Sequence, residues 1–229
     1  MKMKRPFLLF LPFLLFVAGA FVACEEVEET GKYDNWQPRN EAFIDSIKAE
    51  TGDNILAPTV DAANDMKIGK LYAIPVSSSS YPSQYIYCKK LVENKDGERP
   101  NFSGYHSTVS AYYYGTLITG DEFDGNFDGY GSFDRNIPVL SLPENGEWPK
   151  EGKWPTVFDS PSTFTVTGVI IGWTWALQYM RTGERWMLYI PWQSAYGSSG
   201  NSSGTIPGYS TLTFDIISVS YTHLTLPTT

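Results

Sequence analysis

The side chains that could do covalent or acid–base chemistry are few in this chain and poorly spaced for it. Among 229 residues there are two histidines, His106 and His223, and two cysteines, Cys24 and Cys88. His106 falls in a loop-like stretch before a strand pattern, which suits a surface or strand-end residue better than a base. No His/Cys cluster has zinc-ligand spacing. Cys88 lies inside the strand-like run Tyr85–Val92 with no base beside it, as a small buried hydrophobe would. The acidic run DEFDGNFDGYGSFD lacks the regular ligand spacing and closing Glu of a calcium-binding hand loop. No cofactor or metal is therefore expected. What the chain does have is aromatic surface, with 7 Trp, 15 Tyr and 13 Phe. The chemistry open to such a set is noncovalent, the enclosure of an apolar group in a dry pocket.

The elements that must position this surface follow from periodicity. Trp173, Ala176, Leu177 and Met180 fall at i, i+3, i+4 and i+7, one apolar stripe on a helix of about ten residues, with Gly183 as its stop. Trp186, Leu188 and Ile190 alternate with Arg185, Met187 and Tyr189 in a strand that Pro191 ends. Ser198 to Gly204 reads as a loop. Leu212, Phe214 and Ile216 alternate in a further strand, and the helix stripe must be buried against the resulting sheet. Upstream, Asn35–Glu50 reads as a helix with Pro38 in its first turn and Phe43, Ile44 and Ile47 on one edge. Lys70–Val76, Tyr85–Val92 and Ser107–Tyr114 read as strands. Residues 125–160, which include the two Trp-Pro pairs of EWPKEGKWP, read as a long inserted loop.

The formal net charge of -8 excludes a nucleic-acid role, which needs a basic face. The start, MKMKRPFLLFLPFLLFVAGAFVAC, has a basic segment, an apolar segment and small residues before Cys24, the pattern of an export signal. FVAC resembles a lipobox, with Phe21 where Leu is commonest. It implies a signal over 1–23, lipid attachment at Cys24 and anchorage in a membrane. An acidic tether follows over 24–34. With Cys24 acylated, Cys88 has no disulfide partner. The last residues, VSYTHLTLPTT, resemble a translated sequencing adapter, so residues 218–229 are expected to be foreign and the last strand to be cut short.

AYYYGTLITGDEFD resembles the segment V-H-Y-T-G-x-L-x-x-G-x-x-F-D of the FKBP-type peptidyl-prolyl isomerases. VIIGWTWALQYMRTGERWMLYIP resembles their V-I-x-G-W-x-x-A-L-x-x-M-x-x-G-x-x-x-x-x-I-P, and AYG, IP and STLTFDI follow in the family's order. The likeness runs from about Lys89 to Ile217 and is nearest to lipoprotein members of Gram-negative bacteria, in the outer membrane and facing the periplasm or the cell surface.

This resemblance implies an α+β fold in which a curved antiparallel sheet wraps one short helix, with the domain over 85–217 and residues 35–84 as an N-terminal extension. It implies cis–trans isomerisation of X–Pro bonds in proline-containing polypeptides. Trp173 would floor the pocket, and Tyr113, Phe123, Phe164, Val169, Ile170, Ala195 and Phe214 would line it. Tyr196 and the Ile206 N–H would hydrogen-bond substrate carbonyls, and Asp124 would hydrogen-bond Tyr113. Three departures stand out. Ser162 replaces a wall aromatic, Trp175 stands where an acidic residue is usual, and Phe158/Asp159 competes with Phe123/Asp124 for the wall. The alternatives are a peptide-holding module without catalysis and, from the tryptophan-rich insertion, a surface glycan binder.

Overall fold

A computed structural model describes residues 31–76, 84–99, 107–127 and 154–222. The signal segment, Cys24, His106, His223, the segment 77–83 and most of the insertion lie outside them. The chain divides into two units, Met1–Asp34 and Asn35–Thr229, and every element named below belongs to the second.

One helix, α1 (Trp36–Thr51), precedes the sheet. Pro38 sits in its first turn, and Gly52 closes it with φ 58 while donating its N–H to the Lys48 carbonyl. Strands β1 (Leu71–Val76), β2 (Gln84–Val92), β3 (Thr108–Thr116), β4 (Glu122–Gly125) and β5 (Ser162–Thr165) follow. Then come helix α2 (Ile171–Tyr179) and strands β6 (Arg185–Ile190) and β7 (Leu212–Thr222). The alternation at Arg185–Ile190 gives the strand its bounds. Residues 54–68 add a 3-10 turn at Val60–Asp65 and a single parallel bridge from Ile55 to Ala73.

All seven strands make one antiparallel sheet in the order β1-β2-β6-β7-β3-β4, with β5 also on β3. This is the α+β architecture anticipated above. β7 does not stop near Ser218. Its pairing with β3 continues past a register shift to Val109↔Tyr221 and Thr108↔Thr222, because ladder pairing uses backbone groups that every non-proline residue carries.

β4 and β5 share the outer edge of β3. Gly125 faces Tyr114 and Ser162 faces Ala111. Residues 126–161 therefore leave the sheet opposite only Tyr112 and Tyr113, and the insertion interrupts a single edge strand.

The helix stripe packs where its spacing requires. Trp173, Ala176, Leu177 and Met180 are buried in one cluster with Trp186, Leu188 and Ile190 of β6 and Leu212, Phe214 and Ile216 of β7. Close approach of α2 to the sheet depends on Gly172, where a Cβ would lie 2.5 Å from Ile190 Cγ2.

The opposite face of the sheet carries a second apolar cluster built on Val92, Tyr112, Phe127, Trp154 and Ile217. It covers a buried ion pair. Arg185 Nε donates to Asp215 Oδ1 at 2.8 Å, and Nη2 makes a second bond to Oδ2. The guanidinium lies 4.5 Å from the Trp154 ring centroid. Two charges survive out of water here because they are paired bidentately and capped by an aromatic face. Phe127 and Trp154, described residues within the insertion, are thus both packed against the sheet.

Helix α1 docks through polar groups as well as apolar ones. Trp36 Nε1 donates to Ser210 Oγ (3.0 Å), Asn40 Oδ1 accepts the Thr211 N–H (2.7 Å), and Phe43 packs on Tyr189 with centroids 6.2 Å apart. Cys88 is fully buried and burial pushes its thiol pKa up, which leaves it an inert core residue.

Replacing Gly172 by Ala should lower folding stability by about 1–3 kcal/mol, the usual cost of overpacking a filled core, as measured by urea unfolding. A variant as stable as the parent would mean that α2 is not seated this tightly.

Candidate functional site

Trp173 stands in the first turn of α2, where the helix meets the sheet, and is 3 % exposed. Three rings meet it edge-on. Tyr113 of β3 lies at 5.4 Å, Phe164 of β5 at 5.4 Å and Phe214 of β7 at 5.2 Å between centroids, with interplanar angles of 85°, 75° and 79°. Phe123 of β4 packs on Phe214 in the same manner, at 5.3 Å and 90°. Edge-to-face packing of this kind is favourable beyond the area it buries. It also leaves a hollow above the indole, a cavity of about 390 Å³, within the roughly 300–1,000 Å³ usual for small-ligand clefts.

The turn Gly168–Ile170, entering α2, closes one side of this cavity, and Asp124 and Tyr196 close its rim. Gly115 makes the β3 wall possible. A Cβ there would lie 2.7 Å from Phe123 Cζ and 2.8 Å from Phe214 Cε1.

The polar groups are few and specific. The Tyr113 hydroxyl hydrogen-bonds the Asp124 carboxylate, and the phenol pKa is raised first by burial and then by that hydrogen bond and charge. Burial, with a smaller effect of Asp124, also raises Tyr196. Both hydroxyls therefore stay protonated, and able to donate, throughout the neutral range. Trp173 Nε1 has no hydrogen-bond partner among the described residues.

Of the residues anticipated from sequence, Tyr113, Phe123, Asp124, Phe164, Val169, Ile170, Trp173, Tyr196 and Phe214 meet around this one cavity. Two do not line it. Ala195 is half-buried and packs against the main core. Ile206 is buried in that core, and its N–H donates to Asn201 Oδ1 at 2.9 Å. That donor is already used inside its own loop, where the Asn201 N–H also donates to the Ile206 carbonyl. The backbone donor that sequence reasoning missed is Ile170. Its carbonyl receives the Trp173 and Thr174 N–H groups (3.0 and 3.1 Å), while its own N–H, in the cavity wall, has no acceptor among the described residues. Only the start of α2, where first-turn donors lack intrahelical partners, distinguishes it from its neighbours.

The competing wall pair resolves plainly. Phe158 is 80 % exposed and Asp159 caps its own turn, accepting from Thr156 N and Oγ1 at 2.7 and 2.9 Å. Phe123 and Asp124 are the pair at the cavity. Trp175 packs against the core and does not extend the apolar rim. Trp154, half of the tryptophan pair that motivated a glycan platform, is buried against the Arg185 guanidinium and presents no stacking surface.

Residues 151–217 match the family model described as FKBP-type peptidyl-prolyl cis-trans isomerase. The match covers under a third of the chain. It holds α2, β5, β6 and the cavity residues from Phe164 to Phe214. Among similar proteins, the Macrophage infectivity potentiator of Trypanosoma cruzi is 52% identical over 71 residues, covering 28% of this chain and 36% of that protein. The FKBP-type 22 kDa peptidyl-prolyl cis-trans isomerase of Escherichia coli K12 is 46% identical over 67 residues, covering 27% of this chain and 32% of that protein. The Outer membrane protein MIP of Legionella longbeachae is 33% identical over 131 residues, covering 57% and 42%. The chain thus spans about two fifths or less of the length of these relatives.

Gly115→Ala should disturb this cavity without unfolding the protein. Its methyl must push Phe123 and Phe214 apart, so affinity for a proline-containing peptide, measured by Trp173 fluorescence titration, should fall roughly tenfold, about 1.4 kcal/mol. Unchanged affinity with an unchanged fold would show that this wall does not contact the ligand.

Proposed function

We propose that this chain catalyses cis–trans isomerisation of X–Pro bonds in exported polypeptides, by noncovalent stabilisation of the twisted amide. The single observation that carries the reading is the aromatic cavity over Trp173 with Ile170 and Tyr196 at its wall and rim. Rotation about an X–Pro bond takes tens to hundreds of seconds unaided, since it forfeits amide resonance behind a barrier of about 18–20 kcal/mol. A twisted amide has lost that resonance and its charge separation, so it tolerates removal from water better than the planar ground state. A cavity floored by Trp173 and walled by Tyr113, Phe164 and Phe214 favours it accordingly.

The polar rim would then hold the two ends of the rotating bond. The Ile170 N–H and the Tyr196 hydroxyl are donors free to bind flanking carbonyls, a preorganised pair that needs no rearrangement at the transition state. The Tyr113–Asp124 hydrogen bond would keep a carboxylate oxygen beside the bond as its carbonyl swings. Each tenfold in rate needs only about 1.4 kcal/mol, so no nucleophile or metal enters this mechanism.

Placement at the outer membrane rests on the lipobox-like FVAC, with Cys24 as the acylated residue, and on the name of the Legionella relative. Among the described residues no helix is long and apolar enough to cross a membrane. A chain expressed in a Gram-negative host should incorporate a palmitate analogue, and Cys24→Ala should abolish that incorporation. Labelling that persists in the variant would refute attachment at this cysteine.

A protease-coupled assay on a short X–Pro peptide tests the activity. The parent should accelerate isomerisation, Trp173→Ala should lose most of the rate, and Tyr196→Phe should lose roughly three- to tenfold, as for one neutral hydrogen bond. Ile206→Ala, outside the cavity, should act only through stability. A folded parent that binds the peptide without accelerating its rotation would make the chain a peptide-holding module.

A further inference from the structure

Asn126 occupies the break in the edge strand. Its Oδ1 accepts the Tyr113 N–H at 2.8 Å, and its Nδ2 donates to the Ala111 carbonyl and to Ser162 Oγ, both at 3.0 Å. Its backbone N–H donates to the Tyr113 carbonyl at 3.0 Å. The N–H and carbonyl of Tyr113 and the carbonyl of Ala111 point to the outer edge of β3, where β4 and β5 would otherwise run on into each other. One carboxamide therefore supplies the ladder bonds that the interrupted strand cannot, and it links β3 directly to Ser162 of β5.

Register on this edge is carried by short ladders. β4 and β5 have four residues each, and the β3–β4 pairing already shifts between Gly115 and Thr116. A one-residue slip of a strand turns every side chain to the other face. In β4 such a slip would carry Asp124 away from Tyr113 and Phe123 away from Phe214. The residue type matters, because only a carboxamide both accepts from the Tyr113 N–H and donates to Ala111 and Ser162. Ser162, which replaces a wall aromatic, has room for this link and a hydroxyl to receive it.

We propose that Asn126 is a positioning residue for the isomerase, locking β4 and β5 onto β3 around the insertion so that the Tyr113 hydroxyl and the Asp124 carboxylate meet at the cavity wall. This rests on the isomerase reading above. Asn126 touches no substrate and acts through Tyr113. The insertion can then vary in length and sequence while the wall stays in place.

The test uses the full chain carrying Asn126→Ala, Asn126→Asp or the milder Ser162→Ala, each also combined with Tyr113→Phe. Readouts are kcat and KM on the X–Pro peptide, thermal unfolding, and the Tyr113 ring resonance in ¹³C-tyrosine-labelled protein, assigned with Tyr113→Phe. Asn126→Asp should lower kcat roughly tenfold with little change in KM, and Ser162→Ala should lower it less. In the Tyr113→Phe background the same changes should cost under about twofold, since coupled residues are non-additive. The Tyr113 resonance should shift in the Asn126 variants. Equal losses in both backgrounds, with the Tyr113 resonance unmoved, would reduce Asn126 to a loop anchor and overturn the proposal. A parent without activity whose Tyr113 resonance still moves in Asn126→Ala would uphold the positioning role and sink the isomerase reading.

Discussion

Three rings from three strands converge edge-on upon one indole, and the rest of the molecule is arranged around that contact. Trp173 serves two demands at once. Its helix must be buried against the sheet, and its ring also lines the cavity. Rings that met it face-on would fill the space above it. Edge-to-face packing holds Tyr113, Phe164 and Phe214 at 5.2–5.4 Å and leaves the hollow. The two glycines flanking this arrangement have the same cause. Gly172 lets α2 reach Ile190, and Gly115 lets Phe123 and Phe214 close over β3.

The insertion is the chief structural peculiarity of the chain, and the sheet contains its consequences. It leaves between β4 and β5, opposite two residues of β3, and its described ends are tied down at the sheet edge and on one face. Asn126 satisfies the edge of β3 on one side of the break. Phe127 and Trp154 cover the Arg185–Asp215 pair on the side of the sheet away from the cavity. An ion pair with no access to water would be costly if either partner were lost, so the aromatic cover and the pair stabilise one another.

The loop between β6 and β7 is ordered by side chains acting as backbone substitutes. Asn201 closes it on Ile206, and Asn40 and Trp36 of α1 receive its far end at Thr211 and Ser210. The N-terminal helix is thus part of the framework that carries Tyr196. Tyr209, at φ 62 and packed on Trp192 with centroids 5.0 Å apart, marks where the loop bears a left-handed turn on a bulky residue.

The amino-acid sequence determined a good deal alone. The 3.6-residue stripe from Trp173 to Met180 and the alternation in β6 and β7 specified the helix, the strands and which faces meet, because local periodicity is a direct image of burial. The ordered run of family-like residues also identified nine of the cavity residues. What it could not decide depended on partners far apart in the chain. Phe123 and Phe158 have the same local setting, each followed by Asp, and only the pairing of β4 with β3 chooses between them. Ile206 and Ile170 both offer a backbone N–H, yet one is spent on Asn201 and the other is left in the cavity wall. Asn126 carries no signal in sequence, since its role exists only where the edge of β3 is broken. Hydrogen-bond satisfaction is a property of the assembled surface, so which donors remain for a ligand was settled by the tertiary structure.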